Sequence, residues 1–155
     1  LRAPRSWKDS PSGVYDVPVE LRDVLPTCLD AAGCEIPDSV DGKSLLPFAR
    51  GESVPWREYI HGEHTQGEMS NHWLTDGKEK YIWFSQTGRE QFFDLRTDPR
   101  ECQDLSTRSD SGDRLSLWRE KMVKELQNRP EGFVADGKLV AGRPVTPLLT
   151  EALEG

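Results

Sequence analysis

Eleven prolines and thirteen glycines interrupt the 155 residues along their whole length. Proline removes a backbone donor and fixes φ, and glycine favours turns, so no helix or strand can run far before it is stopped. The chain has to fold from many short elements. Only 35% of its residues are apolar, below the roughly 45 to 50% of an ordinary globular domain. Its core is therefore small, as expected if some of its packing surface belongs to a neighbour.

A formal charge of −7 argues against nucleic acid as a partner, because phosphate binding needs a basic face. The apolar runs fall far short of the roughly 20 residues that cross a bilayer, so no membrane segment is expected. Cys28, Cys34 and Cys102 lack the C-x-x-C spacing of zinc or redox sites and read as free, buried thiols, with a Cys28 to Cys34 bridge as the alternative. The compartment stays open.

The first fifteen residues read as a short strand running into a loop, and the start on "LRAP" without Met reads as a continuation. Leu21, Val24, Leu25, Cys28, Leu29 and Ala32 recur at the spacing of one helical face. They predict a helix of about two to three turns that starts or kinks at Pro26 and stops at Gly33. An apolar turn at Leu45, Leu46 and Phe48 follows. Short strands are predicted at "REYIHGEH", "NHWLT", "KYIWF" and "EQFFDL", with Asp76-Gly77 as a hairpin signal. Leu115, Trp118, Met122 and Leu126 then mark one face of a helix over 113–128. "DGKLVAGRPV" reads as a hairpin or extended wrap before a frayed end. Strands followed by an amphipathic helix make an α+β unit, a small antiparallel sheet of about four strands packed against a C-terminal helix.

All three histidines lie in "YIHGEHTQGEMSNHW", with two glutamates among them. Residues three apart on a strand point to opposite faces, so His61 and His64 converge only if Gly62 bends the chain. The spacing is not the H-E-x-x-H of a helix-borne zinc site, and no self-contained metal site is expected. No nucleophile elbow or phosphate-cradling loop occurs, so no catalytic residue is assigned. Asp94 with Asp98, and Glu120 with Glu125, read as turn caps and a solvated helix face. Trp73, Tyr81, Trp83, Phe92 and Phe93 read as sheet core.

Two stretches together resemble the C-terminal part of the sulfatases, within the alkaline-phosphatase-like superfamily. "VPVELRDVLPTCLDAAGCEIPDSVDGKSLLPFARGE" is similar to a P-T-L-L-D-x-A-G helix followed by a D-G-x-S-L turn. "KYIWFSQTGREQFFDLRTDPRECQDLS" resembles the strand pair ending in L-Y-D-L-x-x-D-P-x-E-x-x-N-L, where Phe93, Asp94, Leu95, Asp98, Pro99, Glu101 and Leu105 fill the pattern and Cys102 and Asp104 depart from it.

The resemblance implies that residues 1–52 are the tail of the sulfatase α/β domain, including its helix, and that 53–155 form the C-terminal subdomain. It implies calcium and a formylglycine, made from the Cys or Ser of C/S-x-P-x-R, in a full-length enzyme. Neither the cysteine form of that motif nor the D-H-G metal segment occurs in this sequence, so no cofactor is expected in the fragment and it is expected to be inactive alone. The implied partners are a missing N-terminal catalytic domain and, through it, a sulfate ester. His61, Glu63 and His64 are the candidate substrate contacts, bordering the cleft in such a fold. Many members of the family are secreted or periplasmic, but the compartment of this chain stays unknown. Two alternatives stand beside this reading: an independent noncatalytic binding module, and a fragment of a phosphate or phosphonate ester hydrolase of the same superfamily.

Overall fold

The computed structural model describes residues 13–144, and the chain divides into two compact units between Ile60 and His61. The strand expected at "LRAP" and the end of the tail lie outside the described residues.

In the first unit a single 3-10 turn, Leu21–Asp23, runs into helix α1, Val24–Ala31. Pro26 occupies the first turn of α1, where its missing N–H leaves no helical bond unmade. Gly33, at φ 70°, closes the helix in the left-handed conformation that a side chain resists.

The apolar face predicted for this helix is not buried. Leu21, Val24 and Leu25 are 89%, 53% and 56% exposed, and Cys28 lies on the surface beside them. What α1 turns inward is a polar row at helical spacing: Asp23, Thr27 and Asp30, with Pro26 between them. Asp23 is fully buried and accepts from both Arg57 terminal nitrogens at 2.7 and 2.6 Å, and from the Lys43 and Glu20 amides at 2.9 Å each. Thr27 Oγ1 accepts from the Leu45 amide, and Asp30 accepts from Ser44 and Arg50. These bonds fix the 43–50 segment, including the short helix α2, Leu46–Ala49, along α1. Gly42 is needed there, because a Cβ would fall 1.9 Å from the Arg22 carbonyl oxygen.

In the second unit four strands, β1 (Ile60–His64), β2 (Asn71–Thr75), β3 (Glu79–Phe84) and β4 (Glu90–Asp94), form an antiparallel sheet in sequence order. Register pairs His72 with Trp83, Leu74 with Tyr81, and Tyr81 with Phe92, so one face carries a row of buried side chains. Helix α3, Gly112–Leu126, buries Leu115, Trp118, Met122 and Leu126, the predicted face. It is fastened to the sheet by polar bonds at the rim: Trp118 Nε1 donates to Glu79 at 2.6 Å, Arg114 bonds Glu79 and Asp94, and Arg119 chelates Glu90 with two bonds of 2.6 Å. A two-residue turn at Asp136 and Gly137, both at positive φ, joins the hairpin strands β5 (Val134–Ala135) and β6 (Lys138–Leu139).

The three cysteines are free, as expected, but exposed and not buried. Cys28 falls on the outward face of α1, and the prediction of burial failed with that face.

Candidate functional site

Strand alternation decides which histidines meet. On β1, His61 and Glu63 share a face and His64 takes the other. On β2, His72 lies on the same inward face as Leu74. The outcome is a cluster of His61, Glu63 and His72, whose ligating atoms all lie within 4.8 Å of one another. His61 Nε2 is 3.1 Å from His72 Nδ1, and Glu63 Oε2 is 3.6 Å from the same nitrogen.

The rings are held from several sides. His61 and His72 lie edge to edge with their planes 12° apart and their centroids at 5.3 Å, and Phe133 meets His72 edge-on at 5.0 Å. The Trp83 ring lies 6.0 Å from that of His72, with 26° between their planes. Glu125, from the last turn of α3, approaches His61 Nδ1 at 3.8 Å. Arg129, just beyond α3, bonds Glu63 and Glu131 at 2.9 Å each.

Burial, then the neighbouring His61 and Arg129, pull the His72 pKa down to about 4, against the opposing charge of Glu131. The imidazole is neutral at physiological pH and can donate, accept or ligate, but does not attract an anion by charge.

Gly62 makes the arrangement fit. Its far face lies on the Trp73 indole, and a Cβ there would come within 2.1 Å of a ring carbon. His64, on that outer side of β1, is exposed, with Nε2 3.0 Å from Gln66 Oε1. The structure thus brings together two of the three predicted substrate contacts, His61 and Glu63, and separates His64 from them. It adds His72, which was not among the predicted contacts. The i, i+2 spacing of His61 and Glu63 and the inward phase of His72 with Leu74 were the available signals. Glu125, Arg129 and Glu131 carried none, since only the return of the chain after α3 brings them near.

Among the described residues this is the group of three or more His, Cys, Asp and Glu side chains close enough to share an ion. Two nitrogens and one carboxylate do not fit calcium, which takes six or more oxygen ligands. Cys28, Cys34 and Cys102 are followed by Leu-Asp-Ala, Glu-Ile-Pro and Gln-Asp-Leu, so none sits in the C-x-P-x-R context a formylglycine requires.

Residues 5–129 match the family described as N-sulphoglucosamine sulphohydrolase, C-terminal. The arylsulfatase of Clostridium perfringens (strain 13 / Type A) is 46% identical over 135 residues, which is 87% of this chain and 28% of that protein. A solved 2-O GAG sulfatase superposes with a TM-score of 0.61 at 26% identity, over 68% of this chain and 24% of its own. The phosphonate monoester hydrolase of Agrobacterium radiobacter superposes with a TM-score of 0.56 at 23% identity, over 79% of this chain and 28% of its own, a likeness of fold alone. The chain spans 28% of the length of the arylsulfatase it matches.

Proposed function

The chain belongs to the sulfatase family, matching its N-sulphoglucosamine sulphohydrolase C-terminal part, and from that premise we propose that it is the C-terminal portion of a sulfuric ester hydrolase. In this reading the formylglycine and the calcium are supplied by a catalytic domain outside these 155 residues, and the chain alone is inactive. The observation that carries it is the match over residues 5–129, which includes all four sheet strands and α3.

Residues 1–52 would complete the α/β domain and 53–155 form the subdomain that borders the cleft. The outward row of Leu21, Val24 and Leu25 supports this division, because a helix that presents its apolar stripe to solvent has surface suited to another domain. His61, Glu63 and His64 remain the proposed substrate contacts, with unequal parts. His64 is exposed and offers its imidazole to the organic part of the ester, while His61 and Glu63 are engaged with His72 and hold β1 in position.

The test compares hydrolysis of 4-nitrophenyl sulfate by the chain alone and by the longer polypeptide that carries it. Turnover is expected from the longer polypeptide only, and turnover by the chain alone would overturn the assignment. In the same polypeptide His64→Ala is expected to lower kcat/KM for at least one carbohydrate or aryl sulfate. Unchanged values across such a panel would remove His64 from the substrate site.

A second reading rests on the fold likeness to a phosphonate monoester hydrolase. It predicts faster hydrolysis of a phosphonate monoester than of the sulfate. Stable folding of the chain by itself, with a specific ligand and no turnover by the longer polypeptide, would instead mark a noncatalytic binding module.

A further inference from the structure

The geometry points to a divalent transition-metal site, of the zinc class, formed by His61 Nε2, His72 Nδ1 and a carboxylate oxygen of Glu63. It is independent of the catalytic calcium proposed for the missing domain, and of any substrate contact at His64.

The argument begins with distances. Zinc binds imidazole nitrogen at about 2.0 to 2.1 Å and carboxylate oxygen at about 2.0 to 2.2 Å. Two nitrogens 3.1 Å apart then subtend roughly 100° at a common ion. A nitrogen and an oxygen 3.6 Å apart subtend roughly 120°. Those angles bracket the tetrahedral value. The remaining edge of the triangle, His61 Nε2 to the carboxylate, lies within 4.8 Å, and rotation of the exposed Glu63 side chain would bring it to the roughly 3.4 Å that two such bonds span at a tetrahedral angle.

The surroundings suit a cation as well. Glu125 Oε1 lies 3.8 Å from His61 Nδ1, the nitrogen not aimed at the cluster, beyond a direct hydrogen bond but close enough for its charge to favour a proton there and not on Nε2. Arg129 orients Glu63, and its charge is countered by Glu131. Arg129 Nε and Glu131 Oε2 are buried without a hydrogen-bond partner among the described residues, which leaves a donor and an acceptor unused on the side chains next to the cluster. Phe133 and Trp83 hold the His72 ring, so the site is already ordered. Two imidazoles and one carboxylate favour zinc over calcium or magnesium, which prefer oxygen. Three protein ligands leave the fourth position to water. Because the ligands come from β1 and β2, the ion would clip the edge strand to its neighbour.

Titration of the purified protein with Zn2+ alone, followed by calorimetry and by thermal unfolding, tests this, with Co2+ as a spectroscopic probe. The site predicts one equivalent bound at this cluster, a raised Tm, and visible Co2+ absorption typical of nitrogen and oxygen ligands. His61→Ala, at a half-buried position, and Glu63→Gln, at an exposed one, should each weaken Zn2+ binding by about tenfold or more, with the far-UV spectrum unchanged. His64→Ala should leave binding as it is, and excess Ca2+ should not compete. Zn2+ affinity unchanged in both His61→Ala and Glu63→Gln would overturn the site and leave a hydrogen-bonded histidine pair. Loss of binding in His64→Ala alone would overturn it equally.

Discussion

At the scale of the residue, the second unit depends on a few charged groups placed at the rim of an aromatic core. Burial pushes the Glu90 carboxyl toward its neutral form, but the chelating Arg119 and the Tyr81 hydroxyl, which donates at 2.5 Å, outweigh it and hold the carboxyl below its ordinary 4.5. A carboxyl depressed in the folded state adds stability above its unfolded pKa and loses it as pH falls through the folded value. Urea unfolding should therefore show stability declining below about pH 4.5, with a shallower decline in Glu90→Gln. That variant should also cost about 1 to 3 kcal/mol at neutral pH, because it takes the charge from a paired Arg119. Gly62→Ala makes a steric prediction: its Cβ meets Trp73, so β1 has to shift or the indole has to rotate, costing about 1 to 3 kcal/mol. A change in the Trp fluorescence spectrum would report it, and an unchanged spectrum and Tm would show that the contact yields freely. The histidines were legible in part at this scale. Their strand and its alternation could be read from the residues, which separates His61 from His64, but the approach of His72 depends on the β1 to β2 pairing, which no local spacing encodes.

At the scale of the element, alternation and helical period did what they can do where one face is buried. The runs "NHWLT", "KYIWF" and "EQFFDL" fall on β2, β3 and β4, and the Leu115, Trp118, Met122, Leu126 row is the buried face of α3. Each of those elements packs its apolar face on another element of this chain. Among the described residues helix α1 does not, so its period was read correctly while the expected burial of Cys28 was not met: its partners bind the polar row of Asp23, Thr27 and Asp30. No hydrophobicity pattern announces a polar row that is buried by specific bonds. Leu126 is fully buried on α3, so Leu126→Ala should cost about 2 to 5 kcal/mol in chemical unfolding. A loss much smaller than that would mean that α3 packs loosely on the sheet. Asp23→Ala should be comparably damaging to the first unit, since it leaves Arg57 without the carboxylate that chelates it.

At the scale of the whole molecule, a sheet and helix of family character accompany a first unit whose apolar helical row faces outward. If that row packs on the catalytic domain, Leu25→Asp will leave the unfolding of the chain alone within about 0.5 kcal/mol and will lower the stability and soluble yield of the longer polypeptide. Equal effects in both would place the row's partner elsewhere. The family was legible because its two motif blocks are local strings, whereas the proposed formylglycine, calcium and substrate would be held by residues outside these 155. The most direct test of the central claim is the intact mass of the natural gene product, with peptide mapping for a formylglycine. The account predicts a polypeptide considerably larger than 17.6 kDa that contains this chain after a modified C/S-x-P-x-R segment. A natural product of that mass, folded and without the modification, would contradict it.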